Sequence, residues 1–587
     1  MAPHVVIAPL VVALATAILT LLARSNGRLV RALSALGGLG YAVAAAALLS
    51  AVAPLGASRT LVYEVSAWRA PFGIVLVADA LSTFMLGLTA VVSLAAVVYS
   101  ILYVDAFGQR LSYHPLYHFM VVGVTGSFLT GDIFNLFVWF EVMLMSSYIL
   151  VVFYSGAEHT RAALQYVVLN LLGSAVMLLA IGGLYATTGT LNMADIARRL
   201  GDPAAYGVAV VPVLGLSAVL FAVFALKAGL APFHFWVPDA YRAAPAPVTA
   251  MLAGVVKKVG VYAIVRLYFT VFAAASLPVS LPGIGGDAAL AFFGPVLFAM
   301  AAASILFGGV GAVSRDDMDG VLAYSSIGQV GFIALPLAVG ATVPGVRELA
   351  VAAAVVYAFN HGLAKSLLFL ASGTVKTVFD TERFGDLGGI APRAPVLAAG
   401  FLLGALALIG VPPLSGFFGK FLVFDTAARA FAVDAAGAGA AIALALVGAV
   451  FTIAYFTRAW NAVFWGAPTD VVGAALPARW TPREPGVGEA VADGGERPDR
   501  ADGGASVDDG AAPGSHPGMI PVSTVREAEL AGQVVVIAAL ALAIVGFGIG
   551  FEALFGAAEA AARAALDTGA YVDAVDPGTA AALEVGH

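Results

Sequence analysis

Residues 219–267 read VLFAVFALKAGLAPFHFWVPDAYRAAPAPVTAMLAGVVKKVGVYAIVRL, and this stretch decides the fold. Two apolar segments, each long enough to cross a bilayer, flank a proline-rich turn. Lysine stands near the middle of each segment: Lys227 in the first, and Lys257 with Lys258 in the second. A charged side chain at the centre of a membrane helix costs roughly 2.5–3.5 kcal/mol on insertion scales. Such lysines either snorkel to the headgroups or have a function within the membrane.

The composition is that of an integral membrane protein. Of the 587 residues, 61% are hydrophobic and 11% are charged, whereas a soluble domain has about 25% charged residues. The chain has no cysteine, which excludes thiolate-bound iron–sulfur clusters and cysteine zinc sites. It has no phosphate-binding loop or dinucleotide fingerprint, so we expect no cofactor. The net charge of −7 gives no reason to expect a nucleic-acid partner.

Apolar runs predict an all-α polytopic membrane protein with about fourteen transmembrane helices. A weak excess of lysine and arginine in alternate loops favours both termini outside. Residues 191–200 predict either a short amphipathic surface helix or a polar connector. The predicted spans are 5–23, 30–53, 78–103, 115–130, 132–153, 161–188, 207–231, 246–270, 289–310, 319–340, 348–375, 394–424, 441–465 and 531–556.

A polar segment interrupts this pattern before the last span. Residues 482–509 contain eight acidic and three basic side chains among glycine, alanine and proline. A segment with so little apolar surface cannot offset the entropy of ordering. The composition therefore predicts a disordered cytoplasmic loop.

We expect this acidic segment to be dispensable, because it predicts no packed core. Replacing residues 482–515 with a short Gly/Ser linker should leave assembly and transport nearly intact. Loss of complex formation after that replacement would identify the segment as a docking element.

The fifth span places a carboxylate inside the membrane. Glu141 follows Asp132 by nine residues, which is about 13 Å along a helix rising 1.5 Å per residue. A carboxylate at that depth should be protonated or lie beside a cation. Lys227, in span seven, is the natural partner. The alternative is a structural ion pair that fixes the register of the two helices.

Two later spans carry further ionisable groups. His361 and Lys365 stand four residues apart, so they share one helical face, and histidine titrates near neutral pH. Lys420 follows Pro412 and Pro413, which should interrupt span twelve and free backbone groups for ions or water. With Glu141, Lys227 and Lys258, these groups indicate a proton path at membrane depth. A purely structural role for them remains the alternative.

The segments KAGLAPFHFW and GVPPLSGFFGKF are weakly similar to each other. Both contain lysine, glycine, proline and several phenylalanines, and they lie five helices apart. This similarity suggests an internal repeat covering spans four to eight and nine to thirteen.

Several motifs carry a family resemblance: TGDIFNLFVWFE at 130–141, LKAGLAPFHFW at 226–236, KKVGVYAIVRL at 257–267 and GVPPLSGFFGKF at 410–421. They resemble the proton-pumping, antiporter-like subunits of respiratory complex I and of Mrp-type multisubunit sodium/proton antiporters, and most of all the D-type Mrp subunits. The resemblance covers roughly residues 5–465 and the last span. The sequence departs from the family pattern in the insertion at about 470–528. The resemblance therefore does not define the surface that contacts partners on the cytoplasmic side.

The resemblance implies a fold and a set of site residues. The implied fold has fourteen helices, two inverted five-helix repeats, and broken helices seven and twelve. Glu141 matches the family's fifth-helix glutamate, Lys227 the lysine paired with it, and Lys258, not Lys257, the eighth-helix lysine. His361 and Lys365 match the eleventh-helix relay positions, and Lys420 the terminal group of the twelfth helix.

The predicted organisation follows from these assignments. The expected function is proton translocation in a multisubunit Na⁺/H⁺ antiporter of the prokaryotic cell membrane, with other membrane subunits as partners and protons and Na⁺ as transported ions. The alternatives are a proton-pumping subunit of a redox-driven complex and a noncatalytic scaffold. No cluster of carboxylates suggests a sodium cage, so we expect sodium to be handled at a subunit interface. The predicted segments are 1–110, a three-helix start; 111–272 and 286–466, the two repeats; 467–530, the acidic loop; and 531–587, the last span with a polar tail.

Overall fold

The computed structural model describes residues 4–53, 58–276, 289–476 and 522–576, without the side chains of 522–526. The predicted acidic loop at 482–509 lies outside the described residues. The described residues are mostly helical, and the all-α polytopic prediction is confirmed.

The helices of the first part of the chain are α1 (His4–Leu22), α2 (Gly27–Val52), α3 (Ala80–Tyr103), α4 (Ala106–Arg110), α5 (Tyr113–Leu129), α6 (Ile133–Val151), α7 (Ala157–Thr188), α8 (Met193–Gly201), α9 (Val210–Ala228), α10 (Trp236–Ala243), α11 (Ala246–Met251) and α12 (Lys257–Ile264). Those of the second part are α13 (Ala289–Val313), α14 (Met318–Thr342), α15 (Arg347–Phe379), α16 (Pro395–Ile409), α17 (Ser415–Ala432), α18 (Ala438–Val463), α19 (Asp470–Ala475), α20 (Val522–Ile549), α21 (Phe551–Leu566) and α22 (Thr568–Val575). Short 3₁₀ turns cover Val65–Ala67, Phe272–Ala274 and Pro344–Val346.

Twelve helices within the described ranges are long and apolar enough to cross a membrane. Two predicted spans fall outside that set. The span at 115–130 is the 17-residue helix α5, and the span at 394–424 is divided into α16 and α17. The predicted amphipathic segment at 191–200 forms α8, whose first backbone amides are capped by the Asn192 side chain.

A two-stranded antiparallel sheet joins α2 to α3, and the sequence analysis does not predict it. Strand β1 (Leu61–Glu64) pairs with β2 (Val75–Ala78), with Leu61 opposite Ala78. Each strand is four residues long, which is too short for an alternating pattern to stand out from the apolar background. Leu76 also forms a bridge to Thr130, so the sheet lies beside the start of α6.

The centre of the molecule is the helical segment Ala246–Ala274, in which residues 247–272 are all buried. It contains two π-helical stretches, Leu252–Val256 and Val265–Val271, on either side of α12. Gly260 lets this segment approach α9 closely, since a Cβ there would lie 2.6 Å from the backbone nitrogen of Ala228. The segment also packs against α15, so it joins the earlier helices to the later ones.

Both helices predicted to be broken are broken. Helix α9 ends at Gly229, which has a φ of +70°, and the chain resumes as a helix at Trp236. The carbonyl of Leu226 accepts a hydrogen bond of 2.9 Å from the indole of Trp236 and one of 3.1 Å from the Gly229 amide. Helix α16 ends at Gly410, with a φ of +94°, and α17 begins at Ser415. The inverted relation between the two predicted repeats stays a prediction.

The carboxy-terminal helices close against helices from much earlier in the chain. Gln533 on α20 donates a 3.1 Å hydrogen bond to the Leu102 carbonyl on α3 and accepts one of 3.0 Å from Thr374 on α15. Thr568, which begins α22, donates a 2.7 Å bond to the Thr270 carbonyl. The last helices are therefore part of the packed body of the molecule.

Candidate functional site

The first group of the site joins Glu141 on α6 to Lys227 on α9 through Ser174 on α7. The Ser174 hydroxyl donates a short hydrogen bond to Glu141 Oε1. Lys227 Nζ donates to Ser174 Oγ at 3.0 Å and to the Asn170 carbonyl at 3.2 Å. Lys227 is buried, whereas Glu141 is half-buried. The hydroxyl accepts from the ammonium and donates to the carboxylate, so the three groups form one continuous hydrogen-bonded series.

The predicted pairing of Glu141 with Lys227 is therefore mediated by a third residue. No direct ion pair within 4.0 Å joins the two groups in the described part of the chain. Sequence reasoning did not identify Ser174 or Asn170. A signal was present, because Tyr166, Asn170 and Ser174 recur every four residues in an apolar helix and so share one face.

The helix ends explain why these groups meet. Asp132 caps α6 by accepting a 2.7 Å hydrogen bond from the Asn135 amide, which fixes where the helix starts and so the depth of Glu141. Lys227 occupies the last turn of α9, immediately before the break at Gly229. A cation is favoured at that position, because unpaired carbonyls give a helix C-terminus partial negative charge.

The adjacent residues Lys257 and Lys258 point to different partners. Lys258 Nζ donates to the Ala253 carbonyl and lies 2.7 Å from His361 Nδ1 on α15. Lys257 Nζ instead donates to the carbonyl and the hydroxyl of Ser326 on α14, both at 3.2 Å. Both lysines are completely buried. The structure thus brings the predicted residues Lys258 and His361 into contact and adds a lysine to which the resemblance gives no role.

Lys365 makes its contacts on α14 rather than with its neighbour on α15. Its Nζ donates 2.8 Å to the Leu322 carbonyl and forms a short hydrogen bond to Ser325 Oγ. His361 and Lys365 share a helix as predicted, but no direct hydrogen bond joins them in the described structure. Any proton transfer between His361 and Lys365 would therefore require an intervening group or water.

Buried polar side chains of α14, α15 and α18 form a network next to the Ser325 hydroxyl that binds Lys365. Gln329 Nε2 donates 2.9 Å to the Tyr455 hydroxyl and 3.1 Å to Thr452 Oγ1 on α18. The Tyr357 hydroxyl on α15 donates a short bond to Gln329 Oε1. Gln329 stands one turn beyond Ser325, so these buried polar groups extend from the Lys365 contact toward α18. Sequence reasoning did not identify them.

Lys420 lies at the break between α16 and α17, as predicted. Its Nζ donates a 3.1 Å hydrogen bond to the Ile409 carbonyl, the last of α16, and lies 4.9 Å from the centre of the Phe332 ring. The side chain is buried. The interruption therefore supplies the lysine with a backbone acceptor that an unbroken helix would have used. A cavity of about 780 Å³ borders α17 and is lined by Phe417, Phe421 and Asp425, but not by Lys420.

A second charged cluster lies where α15 ends and α14 begins. Glu382 Oε2 is 3.8 Å from Lys376 Nζ, and Asp319 accepts a 2.7 Å hydrogen bond from Ser372. Burial, followed by the nearby charge of Asp319, raises the pKa of Glu382. Lys376 opposes this shift without cancelling it. Glu382 therefore holds a proton at pH values where an ordinary glutamate has lost it.

This shift predicts that the stability of the folded protein depends on pH. Glu382→Gln should weaken that dependence. Because the folded protein binds a proton that the unfolded chain does not, its stability falls as pH rises above the ordinary carboxyl pKa of about 4. Glutamine cannot titrate, so the variant should show a shallower fall in Tm for the purified complex between about pH 6 and pH 9. Glu348→Gln, at an exposed site, is the control. Equal slopes in wild type and Glu382→Gln would contradict the prediction.

The chain is similar to known membrane proteins over most of its length. The family model described as NADH:quinone oxidoreductase/Mrp antiporter, transmembrane, matches residues 130–452, a range that contains all six predicted site residues. The D-type Na⁺/H⁺ antiporter subunit of Alkalihalophilus pseudofirmus is 38% identical over 361 residues, covering 61% of this chain and 68% of the relative. The N-type NADH-quinone oxidoreductase subunit of Desulforudis audaxviator is 35% identical over 489 residues, covering 81% and 88%.

Among solved structures, a chain of the Mrp complex from Dietzia sp. aligns with a TM-score of 0.77 at 26% identity, covering 98% of this chain and 99% of that one. The matched range, the identities and this fold agree with one another. The chain belongs to the NADH:quinone oxidoreductase/Mrp antiporter family of multi-pass membrane proteins.

Proposed function

We propose that this chain is the D-type component of a multisubunit Na⁺/H⁺ antiporter and carries protons through its interior. The observation that supports the proposal most directly is the hydrogen-bonded series Glu141–Ser174–Lys227. A carboxylate, a hydroxyl and an amine in that order can bind, pass and release a proton without a large movement of the backbone. The antiporter relative from A. pseudofirmus and the Mrp complex from Dietzia carry names that agree with this assignment.

The buried lysines extend the path. Lys257, Lys258, Lys365 and Lys420 have no carboxylate within ion-pair distance in the described residues, and each donates to hydroxyl, carbonyl or imidazole groups instead. Two ammonium groups close together in a low-dielectric interior repel strongly. Protonation of one lysine therefore favours release of a proton from its neighbour, which couples the sites along the path.

A redox-driven complex is the second candidate, because the relative from D. audaxviator carries the name of a NADH-quinone oxidoreductase component. In that setting the same groups would respond to electron transfer in other subunits. The neighbouring genes discriminate between the two. Small hydrophobic antiporter subunits beside this gene favour the antiporter, and hydrogenase or quinone-reductase modules favour the redox complex.

The experiment is Na⁺-dependent proton movement in inverted vesicles that contain the whole co-expressed complex. Addition of Na⁺ should dissipate a preformed proton gradient in vesicles with the complete complex but not in vesicles lacking this chain. Proton pumping driven by an electron donor, with no response to Na⁺, would favour the redox alternative. The noncatalytic scaffold predicts that Glu141→Ala or Lys227→Ala harms assembly without a specific effect on transport.

A further inference from the structure

The two adjacent lysines of α12 serve different parts of the molecule. Lys258 contacts His361 on α15, and Lys257 contacts Ser326 on α14. The family resemblance gives a role to Lys258 alone. An ammonium held without a carboxylate in the interior is costly, so Lys257 needs a physical explanation of its own.

On one side, Lys257 lies against the break that follows Lys227. Gly229 has a φ of +70°, and a Cβ added there would lie 3.5 Å from Lys257 Nζ. Gly260, one turn further along α12, allows α12 to contact the backbone at Ala228. The side chain of Lys257 therefore fills the space beside the break, two residues beyond Lys227.

On the other side, Lys257 lies beside the group that holds Lys365. Lys257 Nζ donates to Ser326 Oγ, and Lys365 Nζ donates to Ser325 Oγ. The two serines are consecutive in α14. Lysines from two different helices thus bind the hydroxyls of consecutive residues of α14, and one of those lysines borders the Lys227 break.

We propose that Lys257 is a further proton-carrying residue, which transfers protons between the Lys227 group and Lys365 by way of Ser326 and Ser325. In the transfer toward Lys365, one N–H bond of the Lys257 ammonium breaks and one forms on the neutral amine of Lys365. The two serine hydroxyls, with water between them, relay the proton, so the number of protons and the net charge stay constant. Lys258 and His361 then form a neighbouring pair whose charge acts on this step.

This inference depends on the proposed function, so its test must separate the two. Lys257→Gln, Ser326→Ala, Ser326→Thr and Glu141→Gln would be made in the co-expressed complex, and assembly and Na⁺-dependent proton movement would be measured. Ser93→Ala is the matched control, because the Ser93 hydroxyl is buried and bonds to Ala90 in its own helix.

We expect assembled Lys257→Gln complexes to lose transport by about tenfold or more. Ser326→Ala should lower the rate, Ser326→Thr should restore much of it because it keeps the hydroxyl, and Ser93→Ala should match wild type. The pH optimum should also move in Ser326→Ala but not in Ser93→Ala. The titratable groups near Lys257 that contribute to this profile are Lys227, His234, Tyr241, Lys258, His361 and Lys365.

Near-normal transport by Lys257→Gln alongside an inactive Glu141→Gln would overturn the role of Lys257 and leave the proposed function intact. Normal transport by Glu141→Gln would instead contradict the proposed function. If Lys257→Gln fails to assemble, the two Ser326 variants test the proposal instead. Equal transport rates and equal pH optima for Ser326→Ala and Ser326→Thr would show that no proton passes through the Ser326 hydroxyl.

Discussion

Replacing Glu141 by alanine is expected to abolish proton transport in a complex that still assembles. The substitution removes the acceptor of the Ser174 hydroxyl and leaves the buried Lys227 without a nearby anion. Loss of a positioned proton-transfer group typically costs about 10²–10⁴-fold in rate. Lys227→Ala should have the same effect, because it removes the donor at the other end of the series. Transport would be measured as Na⁺-dependent proton movement, and assembly as co-purification of the partner subunits.

Ser174, which lies between Glu141 and Lys227, allows two further tests of this prediction. Glu141→Ala combined with Lys227→Ala should be no worse than either change alone, since all three variants interrupt one path. Ser174→Ala keeps both charges and removes the connecting hydroxyl, so it should lower the rate with assembly unchanged. Ser93→Ala again serves as the control for removal of a buried hydroxyl. Normal antiport in an assembled Glu141→Ala or Lys227→Ala complex would contradict the coupled pair.

Lys420→Arg is expected to lose most antiport although it keeps a positive charge. A guanidinium at this position can still donate to the Ile409 carbonyl and lie over the Phe332 ring, so the contacts of a fixed structural cation are retained. Arginine does not release its proton in proteins, so a carrier would fail. Lys420→Ala should fail to a similar extent. The measurement is antiport between about pH 7 and pH 9 in assembled complexes, a range in which arginine stays charged.

Lys376→Arg is the control, because Lys376 is half exposed and lies outside the proposed path, with its Nζ 3.8 Å from Glu382 Oε2. This conservative change should leave antiport close to wild type. If Lys420→Arg also retained near-normal antiport over the whole pH range, Lys420 would supply a fixed charge and would not carry the proton.

Apolar runs and breaker residues predicted most of the fold. A run of about 20 apolar residues has few alternatives to a membrane helix, because every backbone polar group must be satisfied internally. Proline and glycine near Lys227 and Lys420 predicted the two breaks, because proline cannot donate a backbone hydrogen bond and glycine favours helix ends. The β1–β2 sheet was missed because its strands are short and lie next to a longer apolar helix. The π-helical stretches in Ala246–Ala274 leave no recognisable sequence pattern.

The sequence identified ionisable residues better than it identified their partners. Adjacent residues on a helix point about 100° apart, so Lys257 and Lys258 cannot share a partner, and choosing between them requires the faces of the helix to be known. Residues 247–272 of the central segment are all buried, so no polar face marks its orientation. Ser174, Ser325 and Ser326 are uncharged and common in membrane helices, and only their positions in space connect them with the lysines.

The packing of the carboxy-terminal helices has a consequence for biosynthesis. The bond between Gln533 and Leu102 joins residues 431 apart in the chain, and that between Thr568 and Thr270 joins residues 298 apart. A ribosome makes α20–α22 after their partners, so α3 and the central helix must enter the membrane with these surfaces uncovered. Contacts between such distant residues form slowly, and exposed intermediates are prone to misassembly. Synthesis of α20–α22 must therefore precede the final closure of this packing, and a chain released before residue 522 would lack these contacts.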